Sequence, residues 1–216
     1  MSNPPIVEHR GVAAALLQAN IDTDVIIPSR EMKMVSKDGL GEGLFANWRY
    51  TLPGGREANP DFMLNQDAYR NSSILLCGNN FGCGSSREHA VWALREYGIR
   101  VIIAPSFGAI FYNNCINNGL LPIVLDEHAV HDIASVCRGN PQTLQVLINL
   151  NDQSVTLPNG ISYPFAIEAA AKHILLNGLD QIGLSLQHAA DIEAFETKDR
   201  NQRGWAYLPV NQEAKK

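Results

Sequence analysis

The sequence predicts an α/β protein built on parallel βαβ units, and three observations carry that reading. Through the middle of the chain, short β-rich apolar runs alternate with helical patterns about ten residues long. The composition, 45% hydrophobic and 18% charged over 216 residues, suits a globular chain long enough to bury a sizeable core. The first of the middle strands runs into a turn of glycine, serine and arginine that opens a helix, the place where α/β sheets bind ligands.

Taken in order, residues 1–20 hold an opening strand, with Gly11–Leu17 apolar. Asn20–Pro28 reads Asn-Ile-Asp-Thr-Asp-Val-Ile-Ile-Pro, a polar loop running into a buried element. Its aspartates fit an Asx turn. From Ser29 to Asn71 the pattern weakens, broken by Gly39, Gly41, Gly43, Pro53, Gly54, Gly55 and Pro60. So long an excursion is functional or disordered, and Leu44, Phe45 and Trp48 favour partial order. Arg30, Lys33 and Lys37 either bring positive charge to an acidic ligand or form a solvated basic face. The alternating segment then gives strands at Ser73–Cys77, Arg100–Ala104 and Leu121–Leu125, with helices at Glu88–Tyr97, Phe107–Asn117 and His128–Arg138. Gly98 stops the first of these helices, and Ser106 reads as the N-cap of the second. Strands at Leu144–Leu150, Ser154–Leu157 and Ile161–Phe165 follow, separated by Asn-Asp-Gln and Pro-Asn-Gly turns, before helices at Ile167–Leu176 and His188–Glu196. Residues 1–200 are thus expected to be one domain and residues 201–216 a polar C-terminal tail, the polar character setting in at Lys198.

Several function classes are disfavoured. A formal charge of −5 argues against a nucleic-acid binder. No stretch approaches the ~20 apolar residues of a membrane span, and the N-terminus has no signal-peptide core. The cytoplasm is the expected location. Cys77, Cys83, Cys115 and Cys137 form no C-x-x-C pair, so they read as reduced thiols and not as a disulfide or metal framework. Cys83 lies where a thiol can be activated, but no base is close in sequence. No metal is expected on this chain.

The turn itself, Asn79-Asn80-Phe81-Gly82-Cys83-Gly84-Ser85-Ser86-Arg87-Glu88-His89, admits two readings. Ser85 and Glu88 match a capping box, with Gly82 and Gly84 serving a tight bend. The alternative is an anion site, in which free N–H groups, two hydroxyls and a guanidinium gather at a helix N-terminus. Ser86 and Arg87 favour the anion, since one hydroxyl is enough for a cap and an arginine in a first turn opposes the helix dipole. The glycine spacing is neither G-x-G-x-x-G nor a Walker pattern.

Together these motifs resemble the small-subunit family of 3-isopropylmalate dehydratase, or isopropylmalate isomerase. The resemblance rests on residues 20–28, on Leu44-Phe45-Ala46-Asn47-Trp48-Arg49-Tyr50 and on Asn80–Ala90. Ala104-Pro105-Ser106-Phe107, Phe111-Tyr112-Asn113-Asn114-Cys115, Asn118–Ile123 and Leu176–Asp180 extend it, so it covers about residues 5–200. Gly-Ser-Ser-Arg-Glu-His-Ala alone resembles the swivelling domain of the aconitase superfamily; the chain length and the Phe-Tyr-Asn-Asn-Cys run narrow it to the separate small subunit.

The resemblance implies a swivelling β/β/α domain, aconitase domain 4-like, closing over a large subunit in a heterodimer or heterotetramer. That partner is expected to hold a [4Fe–4S] cluster, with no cofactor bound by this chain. The implied reaction isomerises 2-isopropylmalate and 3-isopropylmalate through 2-isopropylmaleate in leucine biosynthesis, on a small dicarboxylate substrate. Ser85 corresponds to the family's base. Ser86 and Arg87 would bind a carboxylate, Asp24 would orient, and the loop with Arg30 and Met32 would contact the variable substituent, with Glu31 pointing away. Alternatives are a hydratase for citraconate or dimethylmaleate, or a non-catalytic carboxylate-binding module.

Overall fold

The computed structural model describes residues 3–32 and 39–207. Lys33, Lys37 and the end of the tail, residues 208–216, lie outside them.

Strands β1 (Glu8–Leu16), β2 (Ser72–Cys77), β3 (Val101–Ala104), β4 (Leu121–Val124), β5 (Val146–Asn149), β6 (Ser154–Thr156) and β7 (Ser162–Pro164) form one seven-stranded sheet in the order β4-β3-β2-β1-β5-β6-β7. The β1–β2, β2–β3 and β3–β4 pairs are parallel, as the alternating pattern requires. The β1–β5, β5–β6 and β6–β7 pairs are antiparallel. At the two hairpin turns Gln153 (φ 52°) and Gly160 (φ 86°) adopt the left-handed conformation such turns favour.

Short helices α1 (Thr23–Ile26), α2 (Leu40–Gly43) and α3 (Ala46–Arg49) lie in the connection from β1 to β2. The longer ones are α4 (Glu88–Tyr97), α5 (Ala109–Asn117), α6 (Glu127–Cys137) and α7 (Ala169–Asn177). Alternate residues of a strand point to opposite faces, and both faces of the parallel half are buried. On one face Ile74, Leu76, Val101 and Ile103 meet Val130 and Ile133 of α6 and Leu175 of α7. On the other Leu75, Cys77, Ile102 and Ala104 meet Val91 and Leu94 of α4. Burying a side chain such as Leu94 stabilises the fold by about 1.5–3 kcal/mol. Helix α4 ends where expected: Gly98 at φ 114° returns its N–H to the carbonyls of Leu94 and Arg95.

The excursion after Pro28 completes the second face. Leu40, Leu44, Phe45 and Leu64 are buried there, and Phe45 stacks on Trp48 with ring centroids 5.8 Å apart. The Glu96 carboxylate accepts the N–H groups of Gly39 at 2.6 Å and Gly41 at 2.8 Å, tying the excursion to α4. A Cβ at Gly41 would lie 3.1 Å from the Tyr97 nitrogen, so the approach is close.

By its contacts the chain divides into two compact units, Met1–Asp180 and Gln181–Lys216. The second contains α8 (Gln181–Leu186), which no sequence pattern announced, and α9 (Ala189–Gln202), which runs past Lys198. At its end Asp199 accepts hydrogen bonds from Arg203 Nε and the Tyr207 hydroxyl, each 2.7 Å long. Among the described residues no helix is long and apolar enough to cross a membrane.

Candidate active site

Three loops meet beyond the carboxyl ends of β1, β2 and β3. Asn20 and Asn80, at φ 58° and 57°, bend the first two in the same way, and Asn80 Nδ2 donates to Asn20 Oδ1 at 2.8 Å. The backbone then stitches the loops together: Asn20 N to Asn79 O (2.8 Å), Gly82 N to Ile21 O (2.7 Å) and Thr23 N to Cys83 O (3.0 Å). On the other side Phe81 N donates to Ser106 O (3.1 Å) and Gly108 N to Phe81 O (2.9 Å). Parallel pairing therefore continues past the strands as single bridges, Asp22 with Cys83 and Phe81 with Phe107.

Glycine is required in the turn for two reasons. Gly82 (φ 70°) and Gly84 (φ 90°) are left-handed, and a Cβ on Gly82 would lie 2.2 Å from Phe111 Cγ. Gly108 is equally confined, since its Cβ would sit 2.5 Å from the Gly82 carbonyl oxygen. The turn is thereby pressed onto the start of α5. Between them lies a cleft of about 260 Å³ lined by Thr23, Gly82–Arg87 and Gly108–Phe111.

Ser85 and Ser86 are exposed in this cleft, and neither hydroxyl has a partner among the described residues. The buried Thr23 donates its hydroxyl to the Ser85 carbonyl at 2.9 Å, fixing that backbone. The capping box does not form. Arg87 is the N-cap of α4, and no side chain caps that helix start. Ser85 lies two residues before that cap position, and it lines the cleft instead. Ser106 also departs from its expected role: Gly108 is the N-cap of α5, while Ser106 Oγ accepts from Asn80 N at 2.8 Å.

The two aspartates of the β1 loop divide the work. Asp22 caps α1, accepting from Val25 N at 2.8 Å, which is the Asx geometry. Asp24 is instead paired with Arg87 and within 3.4 Å of Ser29 Oγ. Its side chain is 55% exposed and that of Arg87 22%, so the pair sits at the rim and contributes at most about 1 kcal/mol to stability. Met32 lies beside Ser86 and Arg87 in an adjoining cleft. Arg30 is held elsewhere, donating to Asn47 Oδ1 (2.6 Å) and Glu31 Oε1 (3.2 Å). The Glu31 side chain is turned inward, paired with Arg56 at 2.7 Å.

Cys77 and Cys115 are buried singly, and burial pushes both thiols well up; Cys137 is pushed up to about 11. Cys83, half-buried, lines the cleft. Among the described residues no group of three His, Cys, Asp or Glu side chains could hold a metal ion. Ile110, exposed at the mouth of the cleft, was not singled out from sequence. Its signal was an apolar residue off the buried Phe111–Cys115 stripe of α5.

The family model of the aconitase C-terminal domain matches residues 3–128. A second model, for the C-terminal domain of the 3-isopropylmalate dehydratase small subunit, matches residues 182–207. A 3-isopropylmalate dehydratase small subunit from Cupriavidus necator is 55% identical over 94% of this chain and 98% of its own length. One from Rhodospirillum centenum is 48% identical over 91% and 95%. Among solved structures, 3-isopropylmalate dehydratase from Methanocaldococcus jannaschii superposes with a TM-score of 0.63 at 25% identity, covering 88% of this chain and 99% of that one.

Proposed function

This chain belongs to the family of 3-isopropylmalate dehydratase small subunits, and from that premise we propose how its glycine–serine–arginine turn works. The chain is one part of a hydro-lyase that interconverts 2-isopropylmalate and 3-isopropylmalate through 2-isopropylmaleate in leucine biosynthesis. It supplies the proton-transfer and carboxylate-binding half of the site, and the remainder comes from a large subunit.

The observation that carries this reading is the pair of hydroxyls, Ser85 and Ser86, that have no partner among the described residues and lie beside Arg87 at a helix start with no side-chain cap. Dehydration of a hydroxy acid needs a base for a proton next to a carboxylate. Ser85 takes that role. A serine alkoxide is unstable in water, and the N-terminal N–H groups and dipole of α4 supply the stabilisation it needs. Arg87 offers a planar fork to the substrate carboxylate, with Ser86 as a further donor, and Asp24 orients the Arg87 guanidinium. Met32 and Arg30 belong to the loop that meets the variable substituent, Arg30 only after leaving Asn47.

The described residues of this chain do not fit an iron–sulfur cluster, because Cys77, Cys115 and Cys137 are buried and no group of three His, Cys, Asp or Glu side chains among them could hold a metal ion. We therefore assign the [4Fe–4S] cluster to the large subunit, with which this chain forms a heterodimer or heterotetramer. Residues 1–200 act as the swivelling domain and 201–216 as its tail. Biosynthetic chemistry on small acids supports a cytoplasmic location.

Mixing this chain with a cluster-bearing large subunit should give isopropylmalate isomerisation. Ser85→Ala should lower its kcat by about 10²–10⁴-fold without weakening assembly. Retention of most of the rate would reduce Ser85 to a structural turn residue.

A further inference from the structure

Arg87 separates two clefts. One is the site just described; the other, about 580 Å³, lies between Met32 and the first turns of α4, where Arg87, His89 and Trp92 line it. The first cleft offers hydroxyls and bare N–H groups. The second is also lined by Ser86, Glu88 and Asn114, and its apolar surface is the Met32 thioether and the Trp92 indole, which suit an alkyl group.

The indole is held in place. Trp92 Nε1 donates to Asn118 Oδ1 at 2.9 Å, and the His89 ring lies 4.8 Å from the Trp92 ring between centroids. Asn118 is itself fully engaged: it is 7% exposed, and its Nδ2 donates to Glu88 Oε1 (2.7 Å) and to the Asn114 carbonyl (2.9 Å). One buried carboxamide thus fixes the wall of the second cleft and the residue next to Arg87.

We propose that this second cleft receives the isopropyl branch of the substrate, with Trp92 as a specificity-determining residue and Asn118 as its positioning residue. The inference rests on the isopropylmalate reading above. A substrate whose carboxylate is held by Arg87 can place its polar, reacting carbons towards Ser85 and its branch towards Trp92. A hydrophobic wall discriminates by roughly 10–200-fold per methylene, so its removal should be visible in binding.

The test uses the reconstituted two-subunit enzyme and two unreactive analogues, methylsuccinate and isopropylsuccinate, as competitive inhibitors. The wild-type enzyme should bind the isopropyl compound at least about tenfold more tightly. Trp92→Ala should cut that ratio below about threefold, and Met32→Ala should lower it too. Trp92→Phe, which keeps an aromatic wall, should retain most of it. Asn118→Leu, which removes the acceptor for Trp92, should lower it. An unchanged ratio in Trp92→Ala, or in Met32→Ala should the first variant fail to assemble, overturns the proposal. So does an equal loss for both inhibitors. If the wild-type mixture does not interconvert isopropylmalates at all, the functional reading itself fails, an outcome distinct from either.

Discussion

Replacing Gly82 by alanine probes the packing that holds the site in place. The added Cβ would meet Phe111 Cγ at 2.2 Å and the two Cδ atoms at 2.5 and 2.7 Å. The φ of 70° adds left-handed strain. That strain costs about 1–2 kcal/mol and overpacking a buried ring about 1–3 kcal/mol, so Gly82→Ala should lose roughly 2–5 kcal/mol. Gly84→Ala separates the two effects. Its φ is 90°, but the nearest atom to its Cβ would be Asp22 Cβ at 3.4 Å. It should lose only the strain, about 1–2 kcal/mol. Urea unfolding followed by circular dichroism, compared at equal m-value, reads the difference. Adding Phe111→Leu to Gly82→Ala should recover part of the loss, since the two positions share one contact. Equal losses at Gly82 and Gly84, or no coupling with Phe111, would refute the idea that α5 clamps the turn.

Two further outcomes follow from the same structure. Arg87→Lys keeps the charge but loses the fork, so kcat/KM for isopropylmalate should fall by about 10–100-fold in a steady-state assay of the reconstituted enzyme. His9 lies within 2.8 Å of Ser73 Oγ, and burial, then the nearby Arg100, lowers its pKa from 6.5. Protonation therefore favours the unfolded chain: the stabilisation is present above pH 6.5 and is lost as pH falls below it towards the folded value. Below that point wild-type stability should decline more steeply than that of His9→Gln, by up to about 1.4 kcal/mol per pH unit in equilibrium unfolding.

The parallel half of the sheet was legible because each of its signals is local. Val101–Ala104 and Leu121–Val124 are continuous apolar runs, and Gly98 stops α4 within its own turn. The position of β1 was not legible. It sits between β2 and β5, and nothing in Glu8–Leu16 identifies a partner more than 130 residues away, Val146–Asn149. Helices α2 and α3 are single turns, too short to show a period, and they form because Phe45, Trp48 and Phe62 pack together. At the proposed site, Ser85, Ser86 and Arg87, singled out from sequence, line one cleft, and Asp24, singled out by resemblance, pairs with Arg87. The Asn118–Trp92 bond and the hold of Asn47 on Arg30 were not found, since each joins side chains from separate elements. The Ser106 cap failed for a related reason: a loop amide 26 residues upstream, Asn80 N, reaches its hydroxyl.

The backbone bonds that stitch Ile21, Thr23, Phe81, Gly82 and Ser106 into one plate have a consequence for motion. Because these bonds cross between the three loops, a displacement of one drags the others. Ser85, Asp24 and Arg87 should then travel as a rigid body. Amide hydrogen exchange at Thr23, Phe81 and Gly82 should accordingly be as slow as in the sheet.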